Sequence, residues 1–369
     1  PYQESSRTIS GIEVIETTSK TSYNGNYGLN ASWTIYNGSK RLNTIKQEKL
    51  NNQAANLDVE TSENSIQESI AQIYIQILYA AESVKVNENT LQVSIAQRDR
   101  GQELLNAGSI AKSDFAQLEA QVSTDRYQLV TAQATLQDYK LQLKQLLELD
   151  GENEMNVYLP ALSDENVLLP LPTKKDVYMS ALTLRPEIEA SKLSVEASEL
   201  GIDIAKAGYL PTISLSAGIG TNHTSGSDFT FGEQVKNGWN NSIGVSVSVP
   251  IFNNRQTKSA VQKAKLQRET SLLSLLDEQK TLYKTIEGLW LDANSAQQRY
   301  AAANEKLRST QISYDLISEQ FNLGMKNTVE LLTEKNNLLQ AQQEQLQAKY
   351  MAILNTQLLK FYQGDKLAL

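Results

Sequence analysis

The chain has 369 residues, of which 40% are hydrophobic and 21% are charged, and its net charge at pH 7 is −8. This acidic balance argues against a nucleic-acid partner and against an anionic membrane surface. No cysteine is present, which excludes disulfides and thiol chemistry, and the one histidine, His223, argues against a histidine-based metal site. The sequence contains no run of about 18 apolar residues, which a membrane-spanning helix would need.

Two halves of the chain repeat each other at an offset of 216 residues. Residues 28–37 are GLNASWTIYN and residues 244–253 are GVSVSVPIFN, so that 244 − 28 = 216. The offset is unchanged at Gly108 and Gly324, where 324 − 108 = 216. An ungapped repeat of this length predicts one structural unit that is used twice.

The repeat divides the chain into a first repeat over residues 1–150, a proline-containing connection over 151–175, and a second repeat over 176–369. Residues 176–207 predict a helix that leads into the second repeat. Nothing similar precedes the first repeat, so we expect a corresponding helix before Pro1.

Alternating apolar and polar residues predict two strand hairpins, over residues 8–36 and 210–252, with a first strand at 8–16. The commonest structure with this pattern is a soluble sheet that covers a core with its apolar face. The alternative is a membrane barrel with an apolar outside, for which strands of about 9–11 residues are suitable. Small barrels need about eight strands, so four strands per chain require an oligomer.

Heptad patterns predict two long helices, over 38–106 and 254–322, and two return helices, over 110–149 and 326–362. Each long helix would extend about 100 Å at 1.5 Å per residue. Heptads alone favour an ordinary coiled-coil stalk. A stalk does not explain the strand hairpin that precedes each long helix, and the combination favours the membrane barrel.

The turn between the helices of each pair contains a glycine, Gly108 in the first and Gly324 in the second. Glycine suits a helix end that adopts positive φ. Asp114 and Glu330 each lie six residues further on, since 114 − 108 = 6 and 330 − 324 = 6. In the first turn of a helix, the dipole stabilises such carboxylates by roughly 0.3–1 kcal/mol. The candidate N-caps of the return helices are Ser113 and Thr328.

Several stretches also carry a family resemblance. Residues 181–188 are ALTLRPEI, and residues 205–211, AKAGYLP, follow where a helix gives way to a strand. The turn PIFN at 250–253 and the hairpin turn FNLGMKNTVELL at 321–332 both have counterparts in the first repeat. In this combination, the chain resembles the TolC-like outer-membrane efflux protein family over nearly its whole length.

The resemblance implies a mixed α and β membrane protein with an internal two-fold repeat, assembled as a homotrimer. Four strands from each of three chains would give a 12-stranded barrel in outer-membrane lipid. The long antiparallel helical hairpins would form an α-barrel tunnel across the periplasm of a Gram-negative bacterium, with 151–175 as an equatorial segment. Family members are passive exit ducts of tripartite efflux pumps, as in multidrug resistance, or of type I secretion systems. A periplasmic adaptor joins them to an inner-membrane transporter.

The resemblance also implies that the glycine-containing hairpin tips converge to close the tunnel. Asp114 and Glu330 match acidic gate positions of the family, and Lys326 stands where a gate-linking basic residue occurs. Thr333 stands where some members have a second carboxylate, which argues against two acidic rings. The same carboxylates would also act as helix-capping groups, and the two roles are compatible.

A scaffold or adaptor protein and an enzyme are the two alternative classes. A soluble coiled-coil scaffold or a periplasmic adaptor would share the heptads, but an adaptor would have one helical hairpin flanked by compact β-rich domains. An enzyme is the least supported class, because no nucleophile–base pair, metal cluster or phosphate-binding loop is evident. We therefore expect no catalytic residue, metal or cofactor, and neither the transported substrate nor the particular pump follows from the sequence.

Overall fold

The computed structural model describes residues 22–149, 155–160 and 167–367, together with the backbone of two strands near the start of the chain. These residues belong to two compact units. Unit 1 consists of Pro1–Asn51 and Ser194–Ser271, and unit 2 consists of Asn52–Leu193 and Leu272–Leu369.

The strands of the structure all lie in unit 1, whereas the helices contribute to both units. The strands are β1 (Tyr2–Ile9), β2 (Ile12–Ser19), β3 (Asn24–Asn37), β4 (Thr212–Thr224) and β5 (Asn240–Ser248). The helices are α1 (Lys40–Asn106), α2 (Lys112–Leu146), α3 (Lys174–Leu184), α4 (Pro186–Lys206), α5 (Phe231–Asn237), α6 (Gln256–Asn322) and α7 (Thr328–Tyr362).

In unit 1, β4 lies between β3 and β5 in an antiparallel sheet with one apolar and one polar face. Leu215 pairs with Trp33 on one side and with Val245 on the other, so that apolar side chains form a continuous row across the three strands. Ser214 pairs with Thr34 and Ser246 in the same way on the opposite face. The apolar face is exposed in the chain: the exposed fraction is 61% for Trp33 and 65% for Val245.

The prediction of one strand over residues 8–16, paired within a hairpin that ends at residue 36, is wrong. Ile9 pairs with Ile12, so these residues belong to two strands, β1 and β2, which pair with each other. The predicted partner, β3, pairs with β4 instead. A turn signal was present in the sequence, because residues 10 and 11 are the dipeptide Ser-Gly.

The second predicted hairpin corresponds to β4 and β5, but its long polar connection contains a short helix that the sequence analysis did not predict. Helix α5 begins after Thr230, whose hydroxyl accepts a hydrogen bond from the Glu233 N–H at 3.4 Å. The Glu233 carboxylate accepts one from the Thr230 N–H at 2.8 Å. This reciprocal capping box accounts for a helix of only seven residues.

The turn from each strand region into each long helix has two successive residues at positive φ. These are Gly38 and Ser39, both at 64°, before α1, and Asn254 at 50° and Arg255 at 61° before α6. The positions differ by 216 in both cases, since 254 − 38 = 216 and 255 − 39 = 216. Positive φ is uncommon for residues other than glycine, so the same unusual turn occurs twice.

In unit 2, the hairpin helices pack around two apolar clusters. One cluster contains Ile75 and Leu78 of α1 with Tyr300 of α6. The other contains Ile286 of α6 and Leu359 of α7. α1 and α6 are each 67 residues long, and α2 and α7 are each 35 residues long. Among the described helices, none combines the length and the hydropathy needed to cross a membrane.

The helix predicted over residues 176–207 is two helices, α3 and α4, separated at Arg185. Arg185 has extended backbone angles, φ −77° and ψ 125°, and α4 begins at Pro186. Proline disfavours the helical conformation of the residue before it and has no N–H with which to continue a helix. Pro186 therefore ends α3 and starts α4, which the sequence analysis overlooked.

Candidate functional site

The two hairpin tips, residues 107–111 and 323–327, end the long helices in the same way. Gly108 has a φ of 69° and Gly324 a φ of 73°. The Gly108 N–H donates to the Leu105 carbonyl at 3.0 Å, and the Ser109 N–H donates to the Leu104 carbonyl at 2.8 Å. The second tip repeats both bonds with its own residues, at 2.9 and 2.8 Å. This is the Schellman pattern, in which glycine supplies the left-handed conformation.

The N-terminus of α7 is capped by Asn327 and Glu330. The Asn327 side-chain oxygen accepts from the Glu330 N–H at 2.9 Å, and the Glu330 carboxylate accepts from the Asn327 N–H at 3.2 Å. Lys326 donates to the same carboxylate at 2.6 Å. The hydrogen bond from Lys326, followed by that from the Asn327 backbone, lowers the pKa of Glu330 below its usual value.

The N-terminus of α2 is capped less completely. Its N-cap residue is Ala111, whose side chain has no acceptor for a hydrogen bond. The Asp114 carboxylate accepts from the Ala111 N–H at 3.4 Å, which is half of a capping box. Both tip carboxylates therefore lie in the first turn of a return helix, as predicted, but only Glu330 has a complete cap.

The predicted N-caps Ser113 and Thr328 are wrong. α2 begins at Lys112 and α7 begins at Thr328, so both residues lie inside the helices rather than before them. The Thr328 hydroxyl is buried and has no hydrogen-bond partner. Thr333 donates its hydroxyl hydrogen to the Val329 carbonyl at 2.7 Å and is exposed.

The structure brings together some of the predicted gate residues. Lys326 and Glu330 form an ion pair, whose side chains are 33% and 41% exposed. Among the described residues, no hydrogen bond or ion pair joins Asp114 to either of them. In the single chain, Asp114 lies on α2 of the first hairpin, and the Lys326–Glu330 pair lies at the start of α7 in the second.

A buried charged cluster, formed by Ser94 of α1, Asp125 of α2 and Lys335 of α7, lies within unit 2. The Lys335 ammonium donates hydrogen bonds to the Asp125 carboxylate and to the Ser94 hydroxyl, which itself donates to Asp125. The second carboxylate oxygen of Asp125 accepts from the Gln121 amide at 2.9 Å. The side chains of Lys335 and Asp125 are only 3% and 1% exposed. Burial lowers the pKa of Lys335, although Asp125 opposes this effect.

This group, which we call the Ser94–Asp125–Lys335 cluster, was not predicted from the sequence. A signal was available, since Asp125 and Ser94 both occupy heptad positions, and every other position of the Asp125 seam, from Phe115 to Leu146, holds an apolar or aromatic residue. Their neighbours on those seams include Val122 and Leu91, both buried. A carboxylate on such a seam requires a partner, because an unpaired buried charge is costly.

Arg185, from the ALTLRPEI stretch, forms a second buried charged group in unit 2. Its guanidinium pairs with Glu68 at 3.1 Å and with Glu187 at 2.9 Å. It also lies over the ring of Tyr362, 4.1 Å from the centroid. Burial, followed by the nearby Glu68 charge, raises the pKa of Tyr362 to about 12. Arg185 thus ties the α3–α4 junction to α1 and to the end of α7.

The described residues offer no group of three histidine, cysteine, aspartate or glutamate side chains that could hold a metal ion. The charged groups described above instead pair with one another or cap helices. Their arrangement positions helices and places partly exposed carboxylates near the hairpin tips.

Comparison of the sequence with known proteins identifies the family. The model of the outer membrane efflux protein family matches residues 2–148 and 177–364. The outer membrane efflux protein BepC of Brucella suis biovar 1 is 24% identical over 333 residues, which cover 89% of this chain and 70% of BepC. The outer membrane protein TolC of Escherichia coli K12 is 25% identical over 311 residues, which cover 80% of this chain and 60% of TolC. The chain thus spans less than two thirds of TolC.

Solved structures share the fold. A crystal structure of CusC superposes with a TM-score of 0.79 at 18% identity, covering 99% of this chain and 82% of CusC. The CmeC outer membrane channel of Campylobacter jejuni superposes with a TM-score of 0.76 at 18% identity, covering 100% of this chain and 77% of CmeC. Since the family model spans most of the sequence, this chain belongs to the outer membrane efflux protein family.

Proposed function

We propose that three copies of this chain form one passive exit duct through the outer membrane and the periplasm. Each copy contributes four strands to a closed barrel, so that 3 × 4 = 12 strands, and two helical hairpins to a tunnel. A periplasmic adaptor connects the duct to an inner-membrane transporter, which supplies the energy. The whole assembly is a tripartite efflux pump or a type I secretion system.

The exposed apolar face of the β3–β4–β5 sheet is the observation that carries this proposal. Leu29, Trp33 and Val245 all lie on this face, with exposed fractions of 73%, 61% and 65%. A soluble sheet would bury such a row, whereas lipid is the natural solvent for it. The opposite face carries Ser214 and Ser246, which suits a water-filled lumen.

The sheet edges support an oligomer. β3 and β5 each pair with β4 on one side only, so each presents a free backbone edge in the described sheet. Unpaired N–H and C=O groups cannot be left in hydrocarbon, and edges of neighbouring copies would satisfy them by pairing. The fourth strand of each copy would come from the β1–β2 segment.

The internal repeat, over residues 1–150 and 176–369 with an equatorial connection at 151–175, is part of the same proposal. Equal lengths of α1 and α6, equal lengths of α2 and α7, and the recurring pair of positive φ values all support it. Two similar hairpins per copy would give a nearly six-fold arrangement of hairpins in a trimer. A uniform tunnel wall requires that similarity.

At the periplasmic end, the tips at Gly108 and Gly324 would converge into a gate. Three copies of Glu330 would form a ring of carboxylates, partly neutralised by Lys326, and Asp114 would form a second acidic position. Rings of carboxylates favour cations and disfavour anions in narrow pores. Capping and gating are compatible, because Glu330 remains 41% exposed while it caps α7.

We place the choice of cargo in the upstream pump. The names of relatives include a pyoverdine export outer membrane protein, an alkaline protease secretion protein and a cation efflux system protein. Cargo of such different size and charge is expected if the duct is permissive. The duct would then provide the exit route, and the carboxylates at its tip would add a modest preference for cations.

Single-channel conductance across a planar bilayer tests the proposal. Full-length protein purified in detergent should insert and give discrete, long-lived, cation-preferring steps. Val245→Lys, on the apolar face, should abolish insertion, since a charge facing lipid costs about 2–4 kcal/mol at the bilayer centre. Ser246→Lys is the matched control on the opposite face, and it should insert normally with a weaker cation preference.

Two results would overturn the proposal. A protein that never inserts and stays dispersed without detergent would be a soluble coiled-coil scaffold or an adaptor. Equal tolerance of Val245→Lys and Ser246→Lys would mean that the apolar face does not contact lipid. If the ion selectivity of the Asp114→Asn, Glu330→Gln double variant is unchanged, the acidic-gate hypothesis is rejected, while the proposal of an exit duct still stands.

A further inference from the structure

The Ser94–Asp125–Lys335 cluster belongs neither to the apolar sheet face nor to the gate of the proposed duct. It joins three helices, since Ser94 lies on α1, Asp125 on α2 and Lys335 on α7. At this cluster the charged side chain of Lys335, from the second hairpin, is therefore buried against α1 and α2 of the first hairpin. Among the described ion pairs, it is also the most deeply buried.

Stability alone does not explain a buried ion pair. The loss of hydration largely offsets the attraction, and apolar residues of similar volume are often as stable or more stable. The best-attested use of a polar group in a helical seam is to specify register and partner, because any other alignment leaves the group unpaired.

The cluster occurs once in the chain, although the hairpins resemble each other. The residue 216 positions after Asp125 is Ala341, which is fully buried, and the residue 216 positions before Lys335 is Glu119, which is exposed. Apolar and glutamine-rich seams tolerate sliding, because one turn brings similar residues together. A slide of four residues moves α7 by about 6 Å and would leave both buried charges unpaired.

We propose that the Ser94–Asp125–Lys335 cluster is a register-setting device that fixes the axial position of α7 against α1 and α2. It also makes α7 the specific partner of this site, since no other described helix offers a complementary buried cation there. Ser94 extends the constraint to α1 by bonding both members of the ion pair. The inference goes beyond the channel function and does not depend on the gate.

Cysteine cross-linking can measure the register, because the chain has no cysteine of its own. The Ser83 hydroxyl of α1 donates to the Gln343 side chain of α7 at 3.0 Å, away from the cluster. The pair S83C/Q343C therefore reports the native register, and S83C/Q347C reports a slide of one turn. Assembled protein in detergent, treated with a short thiol cross-linker, should link the first pair and not the second.

The two cysteine pairs are then combined with changes to the cluster. In Asp125→Leu/Lys335→Met, the one-turn product should rise at least tenfold while helix content is unchanged. The swapped pair, Asp125→Lys/Lys335→Asp, should keep the native product. A matched control removes the exposed ion pair between Lys306 and Glu344, which are 45% and 41% exposed, and should not alter the pattern.

Either of two outcomes would overturn the inference. If Asp125→Leu/Lys335→Met folds and still gives only the native product, the cluster does not set the register. If that variant fails to fold while the Lys306–Glu344 control folds, the cluster is required for folding itself. The cluster would then act in folding and would not determine the axial position of α7.

Discussion

The Glu330 carboxylate accepts a hydrogen bond from the Lys326 ammonium at 2.6 Å while it also accepts one from the Asn327 N–H at 3.2 Å. One side chain therefore completes the start of α7 and remains accessible to solvent at the hairpin tip. The negative charge at the hairpin tip and the stability of the return helix both depend on this carboxylate, so that changes to Glu330 should affect both.

The pH dependence of ion selectivity should reflect this coupling. The pKa of Glu330 is lowered from 4.5, first by Lys326 and then by the Asn327 N–H. The carboxylate thus stays ionised where a free glutamate is half protonated. The cation preference and the capping contribution should both be complete above pH 4.5 and be lost as the pH falls through the lowered pKa.

The Lys326→Ala variant is compared with the unmodified protein to test the effect of Lys326 on the pH dependence of selectivity. Without the ammonium, the pKa of Glu330 should rise towards its usual value, and the loss of cation preference should move to higher pH. The measurement is the reversal potential in a salt gradient as a function of pH. A midpoint that is the same in both proteins would show that Lys326 does not act on Glu330 in the assembled channel.

The two return helices should respond oppositely to changes at their N-caps. Asn327→Ala removes a working cap from α7 and should cost about 0.5–2 kcal/mol. Ala111→Asn supplies a cap that α2 lacks, at a residue whose φ of −77° and ψ of 158° suit one, and should stabilise by a similar amount. Thermal unfolding in detergent measures both, and a lower melting temperature for Ala111→Asn would contradict the prediction.

Removing one member of the Ser94–Asp125–Lys335 cluster should be much more costly than removing both charges. Lys335→Met leaves Asp125 buried without a cation, and we expect a loss of about 3–5 kcal/mol. Asp125→Leu with Lys335→Met should recover most of it. Lys306→Met, which breaks an exposed pair, should change stability by no more than about 1 kcal/mol. Equal effects of the two lysine changes would contradict this ranking.

Two glycines within long helices should respond differently to alanine. A Cβ at Gly101 would lie 2.4 Å from Cδ1 of Leu118, which is 1% exposed and cannot move easily. In Gly101→Ala, the overpacking should cost about 1–3 kcal/mol and exceed the gain of about 1 kcal/mol from helix propensity, so this variant should be destabilised. A Cβ at Gly288 meets nothing within 4 Å, so Gly288→Ala should be stabilising. Chemical denaturation of both variants would reveal the difference in sign.

The long helices were predictable because their signal is local and repeated. Heptads predicted a helix over 254–322, and α6 occupies Gln256–Asn322. The glycine at each tip was predictable for the same reason, since a helix that reverses its direction needs positive φ there. The carboxylates at Asp114 and Glu330 were identified by their spacing of six residues from each glycine, and the helix dipole accounts for acidic residues in a first turn. The predicted N-caps, Ser113 and Thr328, lie two residues and one residue after the actual caps, Ala111 and Asn327, because a sequence pattern places a helix end only to within one or two residues.

The buried cluster could not be predicted from local pattern. Lys335 and Asp125 are 210 residues apart in sequence, and a heptad pattern does not specify which distant residue will meet a buried carboxylate. The pairing of β3 with β4 was missed for a similar reason, because hairpin signals favour neighbours in sequence. The break at Arg185, in contrast, could have been predicted, because Pro186 acts on the residue directly before it. It was missed because the apolar periodicity continues through this position.

The pairing of Leu29 with Ile219 has a consequence for how the protein is made. Since 219 − 29 = 190, the sheet cannot form until more than half of the chain is available. At a synthesis rate of about 5–20 residues per second, β3 waits about 10–40 seconds for its partner. During export, its apolar side chains and open edge are a template for aggregation. We therefore expect biogenesis to depend on a holding chaperone that binds the first strands until the second half of the chain arrives.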